Sequence, residues 1–284
     1  MKTHGLVARL CALFLISLAI LTSGCGGGGG GSSSGVVAHG TVTGQAVKGQ
    51  FSSGVAEAWS VNTDGSPNQL LGMADLMSDG GYSIDIGMHV GPVLIIIRDG
   101  MYNHEATGTP TAQTQQLRVM IPDFTMFATM EANATPLTEF ASAQARRNAG
   151  MGMGLADSIN RANNLIGQYF GVDNLITTRP VDLSMMNAMG VTNAVRNYSV
   201  TLAGFAQLAN TLGFAPDVLI NAIANDGADE LFDGMFGGNM VMLGGNPLSS
   251  TATRGDLGMA MQMFINGARN MSGFDQNAVQ GSID

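Results

Sequence analysis

The chain has 284 residues, of which 45% are hydrophobic and 12% are charged, and its formal net charge is −9. This apolar content is enough for one or two folded domains and argues against an intrinsically disordered chain. The acidic balance excludes the basic stripe on which nucleic-acid-binding proteins depend, so we expect no nucleic-acid partner.

The first residues have the pattern of an export signal. A positively charged start precedes an apolar run over 10–21, and small residues at 22–24 precede Cys25. The apolar run is about twelve residues long, whereas a membrane-spanning helix needs about 20. We therefore predict that residues 1–24 are a signal peptide that is removed, and we expect no permanent membrane-spanning helix there.

The residues around Cys25 resemble a bacterial lipoprotein signal, in which small residues precede a cysteine that becomes the acylated first residue of the mature protein. The resemblance implies that Cys25 carries a covalent lipid such as palmitate. The alternative is a plain signal-peptidase site that leaves a free thiol. The cysteine count favours the lipid, because Cys11 would leave with the signal and acylation would protect the one remaining thiol.

A run of glycine and serine, "GGGGGGSSSG", follows the cysteine and completes a linker over 25–35. Such a run behaves as a flexible coil with a root-mean-square reach of roughly 17 Å. We predict that it tethers a folded body to the membrane. Gly26 after the cysteine resembles the sorting pattern of lipoproteins that leave the inner membrane, which implies a place in the cell envelope at the outer membrane.

The segment 36–134 has the hydrophobic pattern of β-strands. Apolar and polar residues alternate in "YSIDI" (82–86), whereas "PVLIII" (92–97) is apolar at every position, as is typical of a strand buried on both faces. Clusters of glycine, aspartate and proline separate these runs. About seven short strands at this spacing predict an antiparallel β-sandwich over 36–134.

Four stretches in this segment resemble the carboxypeptidase regulatory-like domain, a small transthyretin-like β-sandwich. They are "VAHGTVTGQAVKG", "VAEAWSV", "SDGGYSIDI" and "GPVLIIIRDG". In that family such domains are stability or interaction modules without catalytic residues, and the resemblance implies the same for this segment.

From residue 135 the hydrophobic period becomes that of a helix. Thr135 is a suitable N-cap with Pro136 at the first helical position, and apolar stripes predict further helices over about 155–169, 191–212, 216–233 and 253–271. We predict an all-α bundle over 135–284. The predicted fold class is therefore multi-domain, with an antiparallel β-sandwich followed by a C-terminal all-α helical bundle.

Three stretches of this second segment resemble the helical tails that follow such sandwiches in uncharacterised bacterial lipoproteins. They are "TPLTEFA", "YFGVDNLITTRPVD" and "AIANDGADELFDG". The resemblance implies an architecture and a location but no activity.

Catalytic and metal motifs give weak signals. The histidines that follow Cys25 are His39, His89 and His104, and no metalloprotease, phosphate-binding or nucleophile motif accompanies them, so we predict that the protein is not an enzyme.

The stretch "NDGADELFDG" offers Asp226, Asp229 and Asp233 as oxygen ligands for calcium. Their spacing in a helix fits a solvated acidic face equally well.

Methionine spacing gives a second metal hypothesis. Met151 and Met153, and the group Met259, Met261 and Met263, have the M-x-M pattern whose thioethers suit Cu(I). Alternate residues on a helix point in nearly opposite directions, so adaptable core packing is the alternative reading.

These observations predict a membrane-anchored lipoprotein that acts as a non-catalytic binding or structural module of the cell envelope. Its expected partners are the membrane, through the lipid on Cys25, and an envelope protein or glycan. The alternative is a periplasmic enzyme or a calcium or copper carrier with its site in the helical segment.

Overall fold

The computed structural model describes residues 39–185 and 188–277 of the chain. The predicted signal peptide, the lipidation site Cys25 and the Gly/Ser linker lie outside the described residues. From residue 39 onward the described residues belong to one compact unit. Eight strands come first, then four helices, then four short strands and a fifth helix.

The first eight strands form two sheets. Their bounds are β1 Gly40–Gln45, β2 Phe51–Val61, β3 Pro67–Asp75, β4 Gly81–Gly87, β5 Gly91–Asn103, β6 Pro110–Ala112, β7 Leu117–Phe124 and β8 Thr129–Glu131. The larger sheet has the order β3-β2-β5, and β6 and β7 both pair with the other edge of β5. The smaller sheet has the order β4-β1-β8, and β8 runs parallel to β1. The predicted antiparallel pairing therefore has one exception among the first eight strands, the parallel pair β1 and β8.

Side-chain alternation places the strands against a shared core between the two sheets. Tyr82, Ile84 and Ile86 are buried while Ser83 and Asp85 are exposed, which confirms the alternation predicted for "YSIDI". The core between the sheets is completed from the larger sheet by buried residues of β2, β5 and β7.

Strand β5 is buried on both faces, as its continuous apolar run predicts. Val93, Ile95 and Ile97 belong to the core between the sheets. Leu94 and Ile96 alternate with them and belong to a second core that the helices cover. The larger sheet is therefore a wall shared by two cores.

The helices are α1 Pro136–Gly150, α2 Leu155–Tyr169, α3 Asn193–Leu212, α4 Pro216–Asp226 and α5 Gly255–Ile265. Helix α1 begins where the sequence predicts, because the Thr135 side chain accepts a hydrogen bond from the backbone N–H of Thr138. Helix α3 ends at Gly213, whose φ of 75° is a left-handed conformation that glycine adopts without strain. None of the described helices is both long and apolar enough to cross a membrane.

The predicted C-terminal all-α bundle is wrong. Helix α4 ends at Asp226, well before the expected residue 233, and two small hairpins separate it from α5. Their strands are β9 Met235–Phe236, β10 Asn239–Met240, β11 Met242–Leu243 and β12 Asn246–Pro247. The turns of these hairpins hold paired glycines with positive φ, which helical backbone does not accommodate: Gly237, Gly238, Gly244 and Gly245.

The helices pack both on the larger sheet and on one another. Helices α1 and α2 contact β7, and α1 also contacts α2 and α4. A buried ion pair between Lys48, which follows β1, and Asp217, in the first turn of α4, joins the strand region to the helices. The sheet has a second apolar face to bury, and this is the physical reason why the helices do not form a separate bundle.

Candidate functional site

The three carboxylates proposed for calcium each accept hydrogen bonds from backbone amides after α4. Oδ1 of the buried Asp226 accepts from the N–H of Gly234 at 2.8 Å and from that of Asp233 at 3.3 Å. Burial raises the pKa of Asp226 to about 6. Asp229 accepts from Gly237 at 3.0 Å, and Asp233 accepts from Met235 at 3.0 Å.

These contacts give the acidic segment a structural role, because the carboxylates hold the loop that leads into the hairpins. Within residues 39–185 and 188–277, no group of three or more His, Cys, Asp or Glu side chains is arranged to hold a metal ion. The calcium hypothesis stays a prediction for which the described contacts offer no support.

The three histidines have separate partners. Nδ1 of His39 lies 2.7 Å from Oδ2 of Asp85 on the exposed surface, and Nε2 of His89 lies 3.1 Å from the carbonyl oxygen of Pro92. His104 is buried, and its Nδ1 accepts a hydrogen bond from the backbone N–H of Ala106 at 3.2 Å. Burial lowers the pKa of His104.

The methionines of α5 lie on opposite sides of the helix. Met261 is buried in the core under the helices, whereas Met259 and Met263 are exposed. Met151 and Met153, which follow α1, are exposed as well. The α5 thioethers therefore divide between the core and the surface, and the copper hypothesis stays a prediction.

A polar cavity with a volume of about 810 Å³ lies between α2 and the segment 171–177. Its helical wall consists of Asn160, Asn163, Asn164, Gly167 and Gln168. These positions follow the i, i+3, i+4, i+7, i+8 pattern of one helix face. We call this cavity the amide groove.

The opposite wall of the amide groove lies close to α2, and this is possible because Gly167 has no side chain. A Cβ atom there would lie 2.6 Å from the carbonyl oxygen of Val172, and the N–H of Val172 donates to the carbonyl of Gly167 at 2.8 Å. The N–H of Asn133, beyond β8, donates to the carbonyl of Ile176 at 2.7 Å. The wall is thus fastened both to the helix and to the strand region.

One of the four amide side chains on the helical wall is already paired, because Nδ2 of Asn163 donates to the carbonyl oxygen of Met120 at 3.5 Å. The side chains of Asn160, Asn164 and Gln168 are exposed and have no hydrogen-bond partner in the part of the chain that the structure describes. Asp173 is the one charged residue among the described residues that line the groove. The surface therefore offers many hydrogen-bond donors and acceptors with little net charge.

A second cavity, of about 730 Å³, meets the amide groove at Gln168 and Gly171 and extends to the start of α5. Its lining includes Tyr169, whose hydroxyl lies 3.0 Å from Oγ1 of Thr253 and accepts a hydrogen bond from Nε of Arg254 at 3.1 Å. Together the two cavities form an elongated polar surface around the C-terminal end of α2.

Sequence reasoning missed the amide groove. The apolar stripe of "SINRANNLIGQYFG" predicts the helix, and the amides on its other side have a periodicity of their own that could have indicated a polar face. The facing loop offers no such signal, because its position depends on a close approach at Gly167.

No protein-family model matches the chain, and neither a curated protein nor a solved structure shows a significant match to it.

Proposed function

We propose that the chain is a lipid-anchored, non-catalytic binding module of the bacterial cell envelope, and that the amide groove is its ligand-binding surface. The export pattern, Cys25 and the Gly/Ser linker support the anchored location. The amide groove supports binding and carries the functional part of the proposal.

The chemistry of the groove favours a neutral glycan over a charged ligand. A side-chain amide both donates and accepts hydrogen bonds, which matches the hydroxyl and acetamido groups of sugars. The volume of about 810 Å³ lies within the usual range of ligand pockets. The adjoining cavity lengthens the surface at Gln168 and suits an extended chain of sugar units.

The lining favours binding over the alternative of a periplasmic enzyme. Glycan hydrolysis ordinarily needs two carboxyl groups that flank the scissile bond. Among the described residues that line the amide groove, Asp173 is the one carboxylate, and histidine is absent.

Binding is tested by titrating oligomers of N-acetylglucosamine, and by sedimentation with purified peptidoglycan. We expect saturable binding that the double variant Asn164→Ala and Gln168→Ala weakens by about tenfold or more, because each lost hydrogen bond contributes roughly 0.5–1.5 kcal/mol. Asn210→Ala is the matched control, since Asn210 is an exposed asparagine on α3, away from the groove. Binding that is absent, or that the groove and control variants weaken equally, would refute the role of the groove.

The anchor is tested separately. We expect mass spectrometry to find acyl chains on Cys25, and we expect Cys25→Ser to move the protein from the membrane fraction to the soluble fraction. An unmodified thiol in the wild-type protein would contradict the anchored location without affecting the groove.

A further inference from the structure

A third cavity, whose lining differs in chemistry from the other two, lies between α1, α4 and the hairpins, with a volume of about 650 Å³. Three arginines line it, namely Arg118 from β7 and Arg146 and Arg147 from α1. The whole chain has 12 lysines and arginines and a formal net charge of −9. A quarter of its basic residues therefore meet in one cavity of an acidic protein. We call it the arginine cavity.

One of these arginines is already paired. Nη1 of Arg118 donates to Oε1 of Glu139 at 2.6 Å, and Nη2 donates to Oε1 of Gln116 at 2.9 Å. Glu139 is the one acidic residue among the described residues that line the cavity. Arg118 and Glu139 therefore compensate each other's charge.

The other two arginines are positioned without a hydrogen-bond acceptor. The stem of Arg146 packs against the turn at Gly65, where a Cβ atom would lie 2.8 Å from Cγ of Arg146. The guanidinium of Arg147 lies 4.7 Å from the ring centroid of Phe236 in β9. Neither guanidinium donates a hydrogen bond to any residue within 39–185 and 188–277.

This arrangement is electrostatically unfavourable without an anion. Burial, and then the positive charge of Arg118, lower the pKa of Arg146, and the negative charges of Glu139 and Asp64 oppose this shift only in part. Like charges that are held together in a partly buried place repel each other, and a bound anion would relieve the repulsion. Two guanidinium groups that lack a hydrogen-bond acceptor favour an anionic ligand.

The buried carboxylate of Glu139 places a second requirement on the ligand. Oε2 of Glu139 is buried without a hydrogen-bond partner in the described part of the chain, and the residue is 7% exposed. A hydroxyl group on the ligand could donate to this atom, because an ionised carboxylate only accepts hydrogen bonds.

We propose that the arginine cavity binds a phosphate group, with Arg146 and Arg147 holding the phosphate oxygens and Glu139 accepting a hydrogen bond from a hydroxyl of the same ligand. The planar guanidinium forks donate paired hydrogen bonds to phosphate oxygens. Because Phe236 and the turn at Gly65 already position the two arginine side chains, less side-chain freedom is lost when the ligand binds. This site is separate from the amide groove and does not depend on it.

The test is calorimetric titration of the purified full-length protein in detergent, at constant ionic strength, with inorganic phosphate and with glycerol 3-phosphate. We expect saturable binding of at least one of the two. Tighter binding of glycerol 3-phosphate would identify a phosphate ester as the ligand, and equal binding would identify free phosphate.

Variants separate a specific site from general charge attraction. Arg146→Gln and Arg147→Gln are each expected to weaken binding by about tenfold or more, since a hydrogen bond to a charged group is worth more than a neutral one. Arg147→Lys keeps the charge but loses the fork, and should weaken binding as well.

Arg179→Gln is the matched control, because Arg179 is an exposed arginine that pairs with Glu131 outside this cavity. Circular dichroism verifies that each variant is folded. The proposal is overturned if neither phosphate compound binds, or if Arg179→Gln weakens binding as much as Arg146→Gln and Arg147→Gln do.

Discussion

The two hydrophobic cores of this protein use the same sheet in different ways. The core between the sheets is built mainly from aliphatic side chains that alternate along the strands, such as Ile84, Ile95 and Val119, and it also holds the ring pair Phe51 and Tyr102. The core under the helices holds a group of aromatic rings around Phe140, with the rings of Phe170, Phe205 and Phe232 at centroid distances of 5.6–6.3 Å.

The two cores differ in their relation to the candidate sites. None of the described residues buried in the core between the sheets lines the amide groove or the arginine cavity. Helices α1 and α2 pack on β7 of the larger sheet, and the amide groove and the arginine cavity lie beside these helices. Because β5 and β7 belong to both cores, we expect the two cores to unfold together.

The largest expected effect comes from the aromatic group. Phe140→Ala should lower the free energy of unfolding by about 3–5 kcal/mol, because it leaves a cavity at a fully buried position that three other rings contact. Urea denaturation followed by both circular dichroism and Trp59 fluorescence measures it. Two separate transitions would contradict the expectation that the cores unfold together.

Adjacent residues of β5 allow the two cores to be compared directly. Leu94 faces the helices and Ile95 faces the smaller sheet, and both have 0% exposure. Leu94→Ala and Ile95→Ala should each cost about 2–5 kcal/mol. Since the two side chains pack in different cores, the double variant should lose nearly the sum of the two effects. A large departure from additivity in urea titrations would mean that the sheet does not separate the cores.

The smallest expected effect on stability comes from a carboxyl group just beyond β5. Glu105 is 1% exposed, and neither of its side-chain oxygens has a partner in the described parts of the chain. Burial, with a contribution from the charge of Asp182, raises the pKa of Glu105 well above its usual value. The folded protein therefore keeps a proton that the unfolded chain releases above about pH 4.3.

It follows that Glu105 lowers stability as the pH rises above that value. Glu105→Gln, which cannot ionise, should match the wild type near pH 4 and be more stable than the wild type at pH 8. Thermal unfolding across this pH range measures the difference, with the exposed Asp75→Asn as the control. Parallel pH profiles for the wild type and Glu105→Gln would show that Glu105 is ionised in the fold.

Local signals in the sequence were enough to predict several elements correctly. The alternation in 82–86 and the N-cap at Thr135 depend on neighbouring residues alone, as does the end of α3 at Gly213. The apolar run in β5 likewise predicts burial on both faces. Such features are readable because a strand or a cap needs a particular residue type within a few positions.

Packing between distant segments decided the rest. Arg118 and Phe236 meet in one cavity although they are far apart in the chain, and the amide groove needs the loop at Val172 to approach Gly167. The all-α prediction failed for the same reason. The helices bury their apolar faces against the second face of the sheet and so do not form a separate bundle. The hydrophobic periodicity of a segment does not predict these contacts, because they depend on which apolar surfaces pack together after the helices and strands have formed.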